Sequence, residues 1–492
     1  MTEVKLIDVS LRDGNQSVWG AVGVTTRTIE KMSPLLDRCG YEALELLSST
    51  IMAVAVRYHR EDPWSRLDLA RRLAPKAKLG FLTTGRRFIS FSQTPKSVLR
   101  LAYSLLRKHG VTRTWVVDPM LDMLSTRDNA SIAKQVGFDE VVAGICYTLS
   151  PVHTNEFFAE KIAELDDCPD VDSIYIKDPS GLLTPERLES LLPTLRGRLK
   201  RLQIDEIHTH CNTGVAPITF LKAADLGVTK LHCALPPVAN GSSHSNAFQL
   251  ARNLKARGHS VAVDMAAMEA ASACLTREAT LFNLASGAPV EYDEAYYAHT
   301  LPGGVLATTR RQLNEMGRAD LLPKVVEEAV QVRADLGWPI VVTPFAQYIV
   351  TQASINLITG ERYSRITDEV VDLLLGEFGP MPGKVDLNLL DRALQTSSVE
   401  GRRPERASRI SGRPQGPLFS QHTRVRRRRV RHGRKVGEPH QWLRRYPCRP
   451  STRPSSARLR VREDGSSTST AASFARPPPG GRAVRPQPAL WN

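Results

Sequence analysis

SIYIKDPSGLLTPERLESLLPTLRGRLKRLQIDEIHTHCNTG, residues 173–214, decides the fold. It begins with a short aliphatic run, SIYIKDP (173–179), continues as a helical pattern, TPERLESLLPTLRGRL (184–199), and ends in a second run, IDEIHTH (204–210). Runs of this kind suit strands buried on both faces, as in a parallel sheet covered by helices. Thr184 ahead of Pro185 is a good helix start, although Arg187 three residues on is not the partner a capping box needs. The unit reads strand–helix–strand. Lys177 sits near the end of one strand, and His208 and His210 near the end of the next.

The same alternation runs outward in both directions. Strand candidates are VKLIDVSL (4–11), ALELLSS (43–49), KLGFLTT (78–84), RTWVVDP (113–119), EVVAGICYTL (140–149) and KLHCALPP (230–237). Helical patterns lie between them at 63–74, 95–110, 155–165 and 218–227. Eight alternations in about 250 residues predict an α/β fold, a (β/α)8 TIM barrel over residues 1–260, rather than an open doubly wound sheet. Residues 261–397 read as a helical C-terminal extension, with helices over 263–284, 310–336 and 366–378 and a turn signal, PGG, at 302–304.

From residue 398 the character changes. Residues 401–492 hold 22 Arg and one Lys against four acidic residues, so this stretch carries +19 and the rest −4, which together make the net charge of +15. Rich in Arg, Pro and Ser and poor in aliphatics, it reads as a disordered basic tail that cannot bury enough apolar surface to fold alone. The Arg426–Arg429 run is the kind of patch that binds phosphates, which makes nucleic-acid binding through the tail one functional alternative. The Arg-to-Lys ratio is also what an out-of-frame reading of GC-rich DNA produces. Seven cysteines are scattered singly without a CxxC pair, against a disulfide framework or thiolate zinc site. With no signal peptide and no bilayer-length apolar run, a cytoplasmic protein that does not insert into membranes is expected.

In a (β/α)8 barrel the strand ends converge on one face, which carries the chemistry. His208 and His210, two apart in a strand, point the same way and suit one ion; a satisfied buried pair is the ordinary alternative. Asp13, in SLRDGNQS after the first strand, reads alone as an Asp-Gly turn or a local pair with Arg12. Lys177 reads either as a surface pair with Asp178 or as a metal ligand. As a cation it would repel a metal, so the second reading needs a neutral amine or its CO2 adduct, a carbamate, which offers carboxylate-like oxygens. Asp13, Lys177, His208 and His210 together point to a divalent metal site. Zinc, manganese and cobalt all suit these donors, and such an ion can stabilise an enolate as a Lewis acid.

These stretches carry a family resemblance. SLRDGNQS, YTLSPVHTNEFF, IKDPSGLLTPE, HTHCNTGVAPITFLKAADLGV, LPGGVLATTRRQLNEMG and GEFGPMPGKVD resemble, in order and spacing, the carboxyltransferase domain shared by pyruvate carboxylase and the oxaloacetate decarboxylase α subunit. With their flanks they cover residue 4 to about 395. The resemblance implies a metal-dependent carboxyltransferase or decarboxylase subunit that acts on a small 2-oxo acid through an enolate, with carboxybiotin as the CO2 donor or acceptor. It implies Asp13, carbamylated Lys177, His208 and His210 as metal ligands. Arg12 and Gln16 would bind the substrate and, with Lys177, serve catalysis. No MKM-type biotinylation motif occurs, so biotin would sit on a separate carrier protein, or the true C-terminus has been lost. A biotin carboxyl carrier and a biotin carboxylase subunit would act in trans, on what is expected to be a homo-oligomer.

The chain departs from the family pattern where substrate is handled. Ala53 stands where an Asp is expected, Thr84 where an Arg is expected with Arg86 and Arg87 nearby, and Asn15 where a His is expected. Ala307 replaces a Thr in PGGxxT, with Thr308 adjacent. The altered positions keep open a biotin-independent aldol-type lyase on the same barrel.

Overall fold

The computed structural model describes residues 2–89 and 93–395. Eight parallel strands form its centre: β1 (Glu3–Asp8), β2 (Ala43–Ser48), β3 (Leu79–Thr84), β4 (Val111–Val117), β5 (Glu140–Cys146), β6 (Ser173–Asp178), β7 (Ile204–Thr209) and β8 (Lys230–Cys233). Each pairs with the next. β1 pairs on one side with β8, Ile7 opposite His232, and on the other with β2, Ile7 opposite Ala43. The sheet therefore closes on itself, which excludes the open doubly wound alternative and gives a TIM barrel.

All eight expected strands are present, but several end earlier than their apolar runs. After β8 the run ends in Pro236-Pro237, which cannot donate to a ladder. A two-residue strand, β9 (Ser260–Val261), beside the start of β1, has no counterpart in the sequence pattern. The barrel helices form where amphipathic stripes predict them. In Lys96–Lys108 the buried residues are Leu99, Ala102, Tyr103 and Leu106, one face at helical spacing. Thr184 caps Pro185–Arg196 by accepting from the Arg187 N–H at 3.2 Å.

Beyond the barrel lie Met265–Leu281, Gly303–Glu315, Leu322–Asp335, Phe345–Thr359, Asp368–Leu374 and Leu387–Leu394. The single helix expected over 310–336 is two helices, separated at Gly317, whose φ of +68° ends the first. Phe345–Thr359 has no counterpart in the expectations: its buried face includes Gln352 and Asn356 while Ile358 is exposed, so polarity does not separate its faces. These helices share one continuous apolar core with the barrel. Buried Arg333 ties them to the segment after β5, donating to the Leu149 carbonyl (2.8 Å) and the Thr148 hydroxyl (3.0 Å). Among the described residues no helix is long and apolar enough to cross a membrane. The stretch 398–492, read as a disordered basic tail, lies outside the described residues.

Candidate active site

Strand alternation on β7 puts Glu206 and His208 on one face, with His210 continuing it just past the strand end. β6 runs beside β7 with Lys177 opposite His208. After β1 the chain makes one π-helical turn, Ser10–Gly14, which carries Arg12 and Asp13 into the same mouth. All four expected ligands are buried there. Around His208 Nε2 lie Lys177 Nζ at 2.8 Å, Asp13 Oδ2 at 3.1 Å, His244 Nε2 at 3.1 Å and His210 Nε2 at 3.3 Å. A neutral imidazole nitrogen offers one proton or one lone pair. At most one of these contacts can be a hydrogen bond to it, and the crowding of donor atoms fits a cation among them.

The outer contacts fix which nitrogen faces inward. Glu206 is fully buried, paired with Arg113 and accepting from the Trp115 indole. It also accepts from His232 Nε2 at 2.7 Å. In the tautomer with its proton on Nε2, His232 accepts at Nδ1 from His208 Nδ1, 2.9 Å away. That leaves the His208 Nε2 lone pair turned into the site, the arrangement by which outer-shell groups orient metal-binding histidines. His210 Nδ1 donates to the Ser242 carbonyl at 2.7 Å, which turns its Nε2 inward too. Burial tends to raise the Glu206 carboxyl, but Arg113 and His232 bring it down to about 2.

Burial pushes His208 well below the ordinary imidazole range, so it is neutral. Burial alone would raise Asp13; Arg12, His210 and Lys177 outweigh it and hold the carboxyl well below the usual range. Burial lowers the Lys177 amine, against the opposing pull of Asp13, which favours the neutral form that reacts with CO2. The surface-pair reading of Lys177 with Asp178 is set aside by the geometry. Both are buried, and Asp178 turns away to accept from the Leu182 and Leu183 N–H groups (2.9 Å each) and the Thr209 hydroxyl (2.7 Å). Gly181, between these anchors, has φ +69°, and a Cβ there would lie 2.5 Å from the His210 carbonyl oxygen.

The chain is 32% identical over 406 residues to a pyruvate carboxylase subunit of Methanocaldococcus jannaschii, a match covering 82% of this chain and 69% of that one. It belongs to the pyruvate carboxylase carboxyltransferase family. A conserved carboxylase domain model matches residues 296–417. The methylmalonyl-CoA carboxyltransferase 5S subunit of Propionibacterium freudenreichii is 27% identical over 82% of this chain and 78% of its own. The barrel superposes on the carboxyl transferase domain of Rhizobium etli pyruvate carboxylase with a TM-score of 0.74 at 23% identity, over 81% of this chain and 68% of that one. The chain is thus an enzyme of the carboxyltransferase family.

The remaining positions singled out by the family pattern have varied surroundings. Arg12 is buried, with one nitrogen 2.8 Å from Asp13 and another on Glu45. The local ion pair with Arg12 and the metal reading therefore meet at one carboxylate. Gln16 is half-buried on the short helix Asn15–Trp19. Asn15, expected as His in the family, holds the local chain together, since its amide donates to the Ala21 carbonyl and accepts from the Gly23 N–H. Thr84 ends β3 half-buried. Arg87 is buried with its guanidinium 4.4 Å above the Phe378 ring, while half-exposed Arg86 lies 3.8 Å from Asp128. Ala53 is half-buried on Ser49–Val54. Ala307 is exposed and, with Asn212, Ser242, His299 and Arg310, lines a cleft of about 770 Å3 next to the His210 anchor. Thr308 does not replace the lost hydroxyl: its Oγ1 is bonded back to the Gly304 carbonyl at 2.9 Å.

Three site residues are absent from the expectations. The two-residue spacing of Glu206 from His208 puts it on the same face, the one signal that could have found it. His232 could be found the same way on β8. His244 lies in a Gly/Ser loop without periodicity, so only the fold reveals it.

Proposed function

We propose that this chain is the carboxyltransferase subunit of a biotin-dependent enzyme acting on a small 2-oxo acid. The observation that carries the reading is the convergence of Asp13, Lys177, His208 and His210 on one over-subscribed nitrogen, in the mouth of a carboxyltransferase-family barrel. The four, with Lys177 as its carbamate, would hold a divalent ion. That ion supplies Lewis-acid polarisation of the carbonyl oxygen and favours the enolate. The residues themselves contribute charge and orientation. Asp13 stays ionised beside Arg12, His208 and His210 present lone pairs, and Gln16, half-buried on the short helix after Asp13, would orient the keto acid. Biotin would arrive on a carrier from another subunit, in keeping with relatives named as subunits; the cleft lined by Ala307 is the place for it.

The altered Ala53, Thr84 and Ala307 favour one second reading, a biotin-independent aldol-type lyase. The test is turnover of pyruvate and 2-oxoglutarate with free carboxybiotin. Carboxylation that requires carboxybiotin and is blocked by avidin is expected. Cleavage or condensation of a 2-oxo acid that avidin leaves untouched would replace the first reading with the second.

A further inference from the structure

We propose that His244 is a further ligand of the metal site, so that three imidazoles join Asp13 and Lys177 around the ion. This rests on the metal-site reading above and extends it. His244 is fully buried, and its Nε2 lies 3.1 Å from His208 Nε2. Asp13, His208, His210 and His244 can each offer one atom such that all lie within 4.8 Å of one another. The His244 ring centre is 4.2 Å from that of His208 and 4.3 Å from that of His210. Its Nδ1 has no hydrogen-bond partner among the described residues. A buried polar group without a partner is costly, and a core imidazole kept only for packing would be expected to satisfy it.

The loop that carries His244 is built against the HTHC strand end. The Cys211 N–H donates to the Ser243 carbonyl at 2.7 Å, and the Asn240 N–H to the His244 carbonyl at 2.7 Å. The Ser242 carbonyl is the acceptor that orients His210. The Ala234 N–H donates to the Ser245 carbonyl at 3.1 Å, so the loop is also tied to the end of β8. One strip of backbone therefore turns the His210 ring inward and delivers the His244 ring beside it. A ligand already oriented by its scaffold is what a metal site needs.

The donor count has two consequences. Asp13 and three imidazoles are four protein donors without any modification of Lys177, so carbamylation is not required to retain the ion. A third imidazole also moves the donor set towards zinc or cobalt and away from manganese.

The test is cobalt(II) titration of the metal-stripped full chain in CO2-free buffer, beside H244A, H244Q and H208A, with circular dichroism to check folding. X-ray absorption at the zinc edge of the wild-type chain counts imidazoles without any substitution. Three imidazoles are expected, with uptake of one ion by the wild type and affinity in H244A and H244Q weaker by about 100-fold, the upper end of what even outer-shell partners cost. An absorption count of two imidazoles overturns the assignment and leaves the Asp13–His208–His210 site standing, as does wild-type affinity in both His244 variants. A wild-type chain that takes up no ion even with bicarbonate added defeats the metal-site reading itself, and H208A then matches the wild type.

Discussion

The two sides of the barrel mouth are built differently. On the side of β1, β6, β7 and β8, the Asp13, His208 and His210 side chains are each oriented by a second group. Asp13 has Arg12 at 2.8 Å and accepts from the Ser17 hydroxyl at 3.1 Å, His208 has His232, and His210 has the Ser242 carbonyl. On the side of β2 and β3, Glu45 reaches Arg12, but the residues at and beside the altered positions face elsewhere. Arg87 lies on the Phe378 ring, Arg86 reaches towards Asp122 and Asp128, and Ala53 offers no polar group. The first side is constrained by a connected network that tolerates little change. On the second side, the altered positions Ala53 and Thr84 stand outside that network. Three departures from the family pattern, Ala53, Thr84 and Ala307, lie on the second side and at the cleft; the fourth, Asn15, stands on the first side, where its amide bonds Ala21 and Gly23.

The largest effect expected from breaking this contrast comes from Glu206→Gln. An amide there presents N–H groups to Arg113, Trp115 or His232, all of which donate to the carboxylate now. Buried Arg113 loses its closest charge partner, keeping only Glu140 at 3.4 Å, a loss of about 3 kcal/mol in stability by analogy with broken buried pairs. If His232 turns its proton towards His208, the His208 lone pair is no longer directed at the ion, and metal affinity should fall roughly 10–100-fold. The pH dependence gives a separate check. Because the Glu206 carboxyl is near 2 in the fold against an ordinary 4.5, its contribution is fully present above pH 4.5 and is lost as pH falls towards 2. Denaturant unfolding at pH 5 and at pH 2 should differ by on the order of 3 kcal/mol more in the wild type than in the variant. Equal slopes would show that the network does not depend on this charge.

This contrast also explains what could be read from the sequence. The barrel was legible because each strand is a short aliphatic run and each helix has one apolar face. Asp13, Lys177, His208 and His210 were legible because strand ends share one face. Glu206 obeys the same two-residue rule, but it lies deeper in the strand, where a carboxylate makes sense only once buried Arg113 and His232 are known to meet it. His244 obeys no rule of spacing: its place comes from the loop after β8 folding back on residues 210 and 211. Phe345–Thr359 was hidden for a related reason, since buried Gln352 and Asn356 and exposed Ile358 blur its apolar period.

On the second side, Thr84→Arg is a substitution that should strengthen function. Thr84 is half-buried at the end of β3, and a guanidinium there can pair with a substrate carboxylate in two parallel hydrogen bonds. The KM for a 2-oxo acid should fall about tenfold, about 1.4 kcal/mol, with kcat changed far less, because such a contact binds ground state and transition state alike. An unchanged KM, in a variant that retains its metal, would mean that this strand end does not face the substrate carboxylate and that the two sides of the mouth do not share one ligand.

The smallest effect separates Arg87 from substrate binding. Its guanidinium sits 4.4 Å from the Phe378 ring centre and 5.7 Å from that of Phe345, and burial lowers its affinity for a proton. Both rings belong to the segment after the barrel, so Arg87 clamps the β3 loop to that segment. Arg87→Met keeps most of the apolar volume and removes the charge. Thermal or denaturant unfolding should report a loss of about 1–2 kcal/mol, the range of a desolvated cation–π contact. The KM for the 2-oxo acid should stay within about twofold if the guanidinium is held against the two rings rather than turned towards substrate. A large rise in KM with unchanged stability would reverse the assignment: Arg87 would then be the substrate arginine moved along the loop, and the β3 side would be a working part of the site.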